Sequence, residues 1–356
     1  MGLLAPASSF SVMPHLGQLA VITYMRCTFT ISKNSPSQPL YPAPAHLLSG
    51  GAALRIGNGI ELCVDGEELY LDPKRVRGLS FVSHAHSDHV PRAGSGKVLC
   101  TPETAALAGL GNYCSAGMRL GSLELRLLNS GHMPGSSQLL LENRFRLLYT
   151  GDLRAEGGVL CPPAQVEHCD VLIIESTFGK PFYEFPPQEE VIASMFDWVE
   201  ECHASGAEPV VLGYSMGKAQ ELTKILSSRF RVEVHSTVLR NNRICEALGV
   251  ELGSYRPLAG RCPEDRVIIA PPSAKRSMKG DYRYAVVSGW ALHSGTKRRY
   301  GAHAAFPLSD HSDFYSLVSF VERASPQVVY TVHGFSREFA AELRERGFYA
   351  ESLDRV

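Results

Sequence analysis

The residues with the most chemistry to offer stand together as His84-Ala85-His86-Ser87-Asp88-His89, directly after the apolar run Leu79 to Ser83. Imidazole nitrogen and carboxylate oxygen are the donors that Zn²⁺ and similar borderline cations take. In a loop leaving a strand, alternate residues can face one point while the next pair faces another, so the spacing suits two adjacent ions. A solvated polar loop is the bland reading. Three imidazoles and a carboxylate within six positions, placed at a strand end, argue against it.

Two ions need further ligands, and later strand-like runs end in suitable ones. His132 lies in the Gly-rich turn Ser130 to Gln138, after the run Leu123 to Leu128. Asp152 closes Leu147-Leu148-Tyr149-Thr150-Gly151-Asp152, at a strand's carboxyl end, where α/β proteins build sites. Its two oxygens can bridge two cations. Taken singly, a surface histidine and a turn aspartate would be ordinary; they become ligands in company.

The elements that must position these residues are legible as short runs. Ile60 to Val64, Glu68 to Leu71 and Leu79 to Ser83 read as strands in a β-rich opening from Gly51. Apolar strands then alternate with amphipathic helices. Val171 to Ile174, Pro209 to Leu212 and Val232 to Val234 are expected strands, and Val191 to Cys202, Gly217 to Leu226 and Asn241 to Leu248 expected helices. A helix from about Asp313 to Val321, a strand Val328 to Val332, a helix Ser336 to Arg346 and a short strand near Tyr349 complete an α/β pattern.

Composition bounds the function. In 356 residues, 44% hydrophobic and 20% charged content is that of a globular protein able to bury a large core, which excludes disorder as the default. Thirty-five Lys plus Arg against 36 Asp plus Glu give a net charge of −1, so any nucleic-acid binding must be local. Nine cysteines with no CxxC pair read as reduced and intracellular, and the expected location is the cytoplasm. The longest apolar stretch, Leu16 to Met25, is interrupted and falls short of the about 20 residues that span a bilayer. The first fifty residues hold Arg26 and Lys33 but no Asp or Glu. They read as a bland N-terminal extension, or as a start set too early with Met25 as the true one.

In order, His-x-His-x-Asp-His, Gly-His and Thr-Gly-Asp resemble the metallo-β-lactamase superfamily. Val171-Leu172-Ile173-Ile174-Glu175-Ser176-Thr177-Phe178-Gly179, Ser309-Asp310-His311-Ser312-Asp313 and Val332-His333-Gly334 resemble the three motifs of its β-CASP branch. The resemblance covers about Gly51 to Val356. It implies a four-layer αββα sandwich in two parts, 51–181 and 286–356, with a compact α/β β-CASP-like cap inserted at 182–285.

It also implies roles. His84, His86, His132 and bridging Asp152 would hold one ion, and Asp88, His89, Asp152 and His333 the other. Asp72 would orient the first histidines. Asp88 belongs to the catalytic centre, and His311, supported by Glu175, would donate the proton to the departing oxygen. The mechanism implied is two-metal hydrolysis, with a hydroxide generated near neutral pH and an imidazolium protonating the leaving group. Two divalent ions are expected, Zn²⁺ first, with Mn²⁺ or Fe²⁺ as alternatives.

Within the expected cap, Gly213-Tyr214-Ser215-Met216-Gly217-Lys218-Ala219-Gln220 follows a strand and opens a helix. Similar segments occur in β-CASP proteins, and free amides with a basic side chain there can face a phosphate, which would make Ser215, Gly217 and Lys218 substrate contacts. Ordinary helix initiation is the alternative. Lys297, Arg298 and Arg299, near Trp290 and Tyr300, form a basic and aromatic stretch suited to tracking a strand, against the competing account of a solvated loop.

The stretch from Ser288-Gly289-Trp290 to Asp313 looks most like compact exonuclease-like β-CASP proteins, including those associated with DNA ligases and archaeal RNA-processing exonucleases. Phe335 stands where many RNA-processing members carry Glu. The resulting expectation is an exonuclease on RNA or single-stranded DNA. Two alternatives stay open: a hydrolase of small esters, thioesters or lactones, and a non-catalytic scaffold. No membrane partner is expected, and a homo-oligomer is left open.

Overall fold

The computed structural model describes residues 52–115, 117–260 and 265–353; the expected N-terminal extension, 1–50, and its Met25 lie outside the described residues. Three sheets organise the described residues. The first runs β1 (Ala53–Gly57), β2 (Gly59–Val64), β3 (Glu67–Leu71), β4 (Arg75–Phe81), β5 (Arg92–Leu99), β6 (Tyr113–Cys114). The second places β19 (Ala350–Ser352), β18 (Val328–Val332), β11 (Val171–Glu175), β10 (Arg146–Tyr149), β9 (Ser137–Glu142), β8 (Leu123–Asn129) and β7 (Met118–Leu120) side by side.

Alternation explains how these sheets stack. Ile60, Leu62 and Val64 of β2 point inward, and Leu71, Phe81 and Leu99 join them to meet Leu125, Leu139, Tyr149 and Ile173 of the second sheet. In β11 both faces are buried, which is why it reads as an unbroken apolar run. Its Val171 and Ile173 enter the inter-sheet core, while Leu172 and Ile174 pack outward on Phe314, Phe320, Phe339 and Leu343 of helices Phe314–Ala324 and Ser336–Glu345. Helix Pro102–Ala108 covers the far face of the first sheet through Ala105. The order helix, sheet, sheet, helix is the expected αββα sandwich.

The third sheet is wholly parallel, in the order β14 (Tyr255–Pro257), β13 (Arg231–Val234), β15 (Arg266–Ala270), β12 (Glu208–Leu212), β16 (Tyr282–Val287), β17 (Ala304–Phe306). It continues past position 285, where the sequence places the return to the core. Ala304–Phe306 adds as a parallel edge strand against Ala285, Val286 and Val287. Helices Gln188–Ala204, Lys218–Ser227 and Ser236–Ala247 pack on one face through Val191, Met195, Leu222 and Val238.

Two of these helices start earlier than their apolar periodicity suggests. Glu189 and Glu190 extend the first with carboxylates in its first turn, favoured by the helix dipole. The ring of His235 accepts from the Thr237 amide and caps the other. Among the described residues, no helix is long and apolar enough to cross a membrane.

Candidate metal centre

Apart from His311, the residues of the candidate centre stand at or beyond the carboxyl ends of strands. Asp72 follows β3, the His84 to His89 loop follows β4, His132 follows β8 and Asp152 follows β10; Glu175 ends β11 and His333 follows β18. Close packing lets these loops converge. Gly151 has φ +54°, and a Cβ there would collide with the Ser83 side chain, so the loop carrying Asp152 can lie against the one carrying His84 only with glycine.

One set of the expected ligands is assembled. The ligand atoms of His84, His86, His132 and Asp152 all lie within 4.8 Å of one another. His84 Nε2 is 3.0 Å from His86 Nδ1 and 3.3 Å from Asp152 Oδ2, and His132 Nε2 is 3.2 Å from His86 Nδ1 and 3.5 Å from Asp152 Oδ2. His89 Nε2 faces the other carboxylate oxygen at 3.5 Å.

The rest of the second expected set is looser. Asp88 is exposed, with Oδ2 3.9 Å from His89 Nε2. His333 is also exposed, its ring 5.4 Å from that of His89, and φ +61° in its backbone turns the chain sharply after β18.

The groups behind the imidazoles decide which nitrogens are free. His89 Nδ1 donates to Asp72 Oδ2 at 2.8 Å, His132 Nδ1 to the Asp310 carbonyl at 2.7 Å, and His86 Nε2 to the Met216 carbonyl at 3.2 Å. Ser83 Oγ donates to Asp72 at 2.6 Å and so accepts from His84 Nδ1 at 3.0 Å. Each ring therefore turns its other nitrogen into the cluster, Nδ1 for His86 and Nε2 for the other three, the orientation that metal ligation requires.

Electrostatics divide the rings. Burial, then the charge of His89, holds His84 well below the ordinary imidazole value, and burial with His311 lowers His132 to about 4. Burial would raise Asp152, but His89 and then His84 outweigh it and keep it ionised. Burial would depress His89 as well, but Asp152 and then Asp72 outweigh it and push it up to about 10, so a cation on that side must displace its Nε2 proton. The lowered His84 and His132 beside an ionised carboxylate fit the group that the sequence motif implies.

His311 is differently placed. Its Nδ1 donates to Glu175 Oε1 at 2.8 Å, and its Nε2 points back to the cluster, 3.9 Å from Asp152 Oδ2. Glu175, fully buried, also accepts from the amides of Leu153 at 3.0 Å and Thr177 at 2.8 Å. Burial would depress the His311 imidazole; Glu175 and then Asp152 outweigh it and push it up to about 10.

These groups open into a cavity of about 510 Å³. Its wall is shared: His86, Asp88, His89, Asp152, His311 and His333 come from the sandwich, while Tyr214, Ser215 and Met216 follow β12 of the third sheet and Trp290 follows β16. The carboxyl ends of the parallel sheet face the metal cluster.

The outer expected contacts divide. Ser215 lines the cavity. Gly217 lies instead against His86, where a Cβ would stand 3.3 Å from Nε2. Lys218, expected to face a phosphate, is only 1% exposed; its Nζ donates to Glu221 Oε2 at 2.6 Å, so the pairing turns it inward. Lys297, Arg298 and Arg299 are exposed on helix Thr296–Tyr300, beside the Gly289–Leu292 turn that carries Trp290, and do not line the cavity.

Tyr149, Ser83, Arg154 and the Met216 and Asp310 carbonyls escape a reading of sequence. Tyr149 alone left a signal: a hydroxyl inside a buried apolar strand needs a partner, which is Asp72 at 2.7 Å.

No family model matches the chain. Over 302 residues it is 38% identical to a probable DNA ligase of Opitutus terrae, covering 80% of this chain and 29% of that protein. It is also 27% identical over 198 residues to an RNase J-like protein of Methanocaldococcus jannaschii, covering 47% of each. The chain belongs to the β-CASP branch of the metallo-β-lactamase superfamily. It spans less than half the length of these two β-CASP relatives. A crystal structure of a protein of unknown function from Enterococcus faecalis V583 matches with a TM-score of 0.53 at 15% identity, over 78% of this chain and 79% of that one, which shows the fold alone.

Proposed function

We propose that this chain is a metal-dependent nuclease that shortens single-stranded RNA or DNA from an end. The observation that carries the reading is the His311–Glu175 pair, whose free Nε2 faces the cavity beside the four-ligand cluster. A hydrolase of phosphodiesters needs a proton donor for an alkoxide leaving group, and this imidazole is held protonated where the leaving oxygen would stand. The names of the two relatives, one a DNA ligase and one RNase J-like, support a nucleic-acid substrate without choosing the sugar.

His84, His86, His132 and Asp152 would hold one divalent cation, and Asp88, His89, Asp152 and His333 a second. Zn²⁺ suits the imidazole-rich set, with Mn²⁺ as the alternative. Such cations supply Lewis acidity toward phosphate oxygens and an activated water near neutral pH. The chain's own residues do the rest. Glu175 fixes the His311 tautomer, so Nε2 carries the transferable proton. Asp72 and the Asp310 carbonyl orient the ligand rings. Trp290 and Tyr214 offer aromatic faces on the cavity wall on which a base can stack. In this reading the segment 182–285, extended to Phe306 by its sheet, is the cap that closes over a strand end.

The test is a gel time course with Zn²⁺ or Mn²⁺ on end-labelled single-stranded DNA and RNA of one sequence. Stepwise shortening, absent in Asp152→Ala, is expected. Cleavage of neither strand by protein with metal bound would overturn the reading in favour of a small-ester hydrolase.

A further inference from the structure

The sandwich supplies the acceptors for three of the four histidines, but not for His86. His84 and His89 rest on Ser83 and Asp72, and His132 on the Asp310 carbonyl, whereas His86 Nε2 donates to a carbonyl of the third sheet's Gly213 to Gly217 turn. That turn is rigidly held. Gln220 Oε1 accepts from the Gly217 amide at 2.8 Å, Gln220 Nε2 donates to the Ser215 carbonyl at 3.2 Å, and Asn241 Nδ2 donates to the same carbonyl at 2.7 Å. The Gln of the Gly-Lys-Ala-Gln segment thus shapes the turn that presents the Met216 carbonyl.

A buried chain of charges ties the turn's helix to the sandwich. Arg154, two residues beyond the ligand Asp152, donates from Nη1 to Glu221 Oε1 at 2.6 Å and from Nη2 to Gln188 Oε1 at 2.6 Å. Glu221 Oε2 takes Lys218 Nζ at 2.6 Å, and Lys218 Nζ lies 4.0 Å from Oδ2 of Asp310, whose carbonyl holds His132. Arg154, Lys218 and Glu221 are all at most 5% exposed. Buried ion pairs of this kind add little net stability compared with apolar packing, but they accept only one geometry.

We infer that Glu221 and Gly217 are positioning residues for the metal centre: the Arg154–Glu221–Lys218 clamp docks the Gly213 to Gly217 turn so that its Met216 carbonyl fixes His86 for ligation. This rests on the metal-ligand part of the proposed function and not on the choice of substrate. Docking and metal affinity are then coupled, and the coupling is reciprocal. Metal binding should tighten the turn, just as a loosened turn should weaken metal binding. Gly217 is required by close approach as well as by its φ of +78°, since a Cβ there would also stand 3.4 Å from Met133 Cβ.

The test compares Glu221→Gln and Gly217→Ala with Glu233→Gln, which disrupts the buried Arg266–Glu233 pair, 2.6 Å long, elsewhere in the same sheet and away from the cavity. Zn²⁺ affinity is read by competition with a chromophoric chelator, so the result stands whether or not the protein cleaves nucleic acid. Glu221→Gln and Gly217→Ala should lose about 10- to 100-fold in affinity, as lost orienting partners typically cost, while Glu233→Gln stays within about twofold even if its melting temperature falls as far. In the long-range ¹H–¹⁵N spectrum of the Zn²⁺-loaded protein, His86 should ligate through Nδ1 with a slowly exchanging Nε2 proton, and that proton should exchange faster in Gly217→Ala. Zn²⁺ should also slow amide exchange across residues 213–227 of the parent protein. Equal affinity losses in all three variants, or an unchanged His86 proton in Gly217→Ala, would overturn the assignment and leave the charge chain as interdomain packing. A protein that binds Zn²⁺ as described but cleaves neither strand would instead sink the nuclease reading alone.

Discussion

Replacing Asp72 by Asn changes one atom and tests how the first histidines are held. Oδ1 accepts the Ser83 amide at 2.7 Å; Oδ2 accepts Ser83 Oγ at 2.6 Å, the Tyr149 hydroxyl at 2.7 Å and His89 Nδ1 at 2.8 Å. An amide cannot accept on both sides. With its oxygen toward the three donors, its NH₂ faces the Ser83 N–H, leaving a buried donor unmatched at about 1–3 kcal/mol. The three remaining bonds change from charge-assisted to neutral, each losing about 1 kcal/mol. The other orientation sets NH₂ against three donors and is worse. The expected cost is therefore about 4–6 kcal/mol, which at about 2 °C per kcal/mol for a chain of this size lowers Tm by roughly 8–12 °C. Thermal unfolding of chelator-treated protein isolates this effect from lost metal. A Tm within about 2 °C of the parent would refute the reasoning, because four convergent buried donors could then be satisfied without a carboxylate.

Three further outcomes are expected. His311 is raised from 6.5 to about 10, so its protonated form adds stability fully below 6.5 and loses it as pH rises through about 10; bound cations near Asp152 would bring that limit lower. Glu175→Gln removes the largest influence holding the proton, so the alkaline limb of the pH–rate profile should move to lower pH, and an unmoved limb would rule out His311 as the donor. Exchanging Lys297, Arg298 and Arg299 together for Ala should weaken oligonucleotide binding and reduce the slope of log K against log salt by about 2, measured by titration at several salt concentrations; an unchanged slope would mean that this face does not meet the strand. Zn²⁺ at about a hundred times its Kd should stabilise the chelator-treated protein by about 2.7 kcal/mol, seen as a rise in Tm that Asp152→Ala lacks.

The histidines that the fold gathers were legible in sequence because they lie close together, or at strand ends whose apolar runs are unmistakable. His84, His86 and His89 share one loop, and Asp152 closes the run that becomes β10. The sandwich was legible for the same reason, since β11 buries both faces and must read as a continuous apolar segment. Lys218 shows where such reading stops. A lysine after a glycine at a helix start suggests a phosphate contact, and only folding reveals that Glu221, one turn on, takes its ammonium and is itself held by Arg154, far back in the chain. Its environment comes from a partner 67 positions away from Glu221, which no local pattern encodes.

By itself, then, the amino-acid order determined the layer architecture and the donor set, because strand periodicity and metal-ligand chemistry are carried by side-chain type and short spacing. Tertiary structure alone decided which nitrogen of each imidazole is free. That choice depends on acceptors such as the Met216 and Asp310 carbonyls, backbone groups that every residue carries. A carbonyl has no signature in sequence; its role arises only when another segment's fold aims it at a ring.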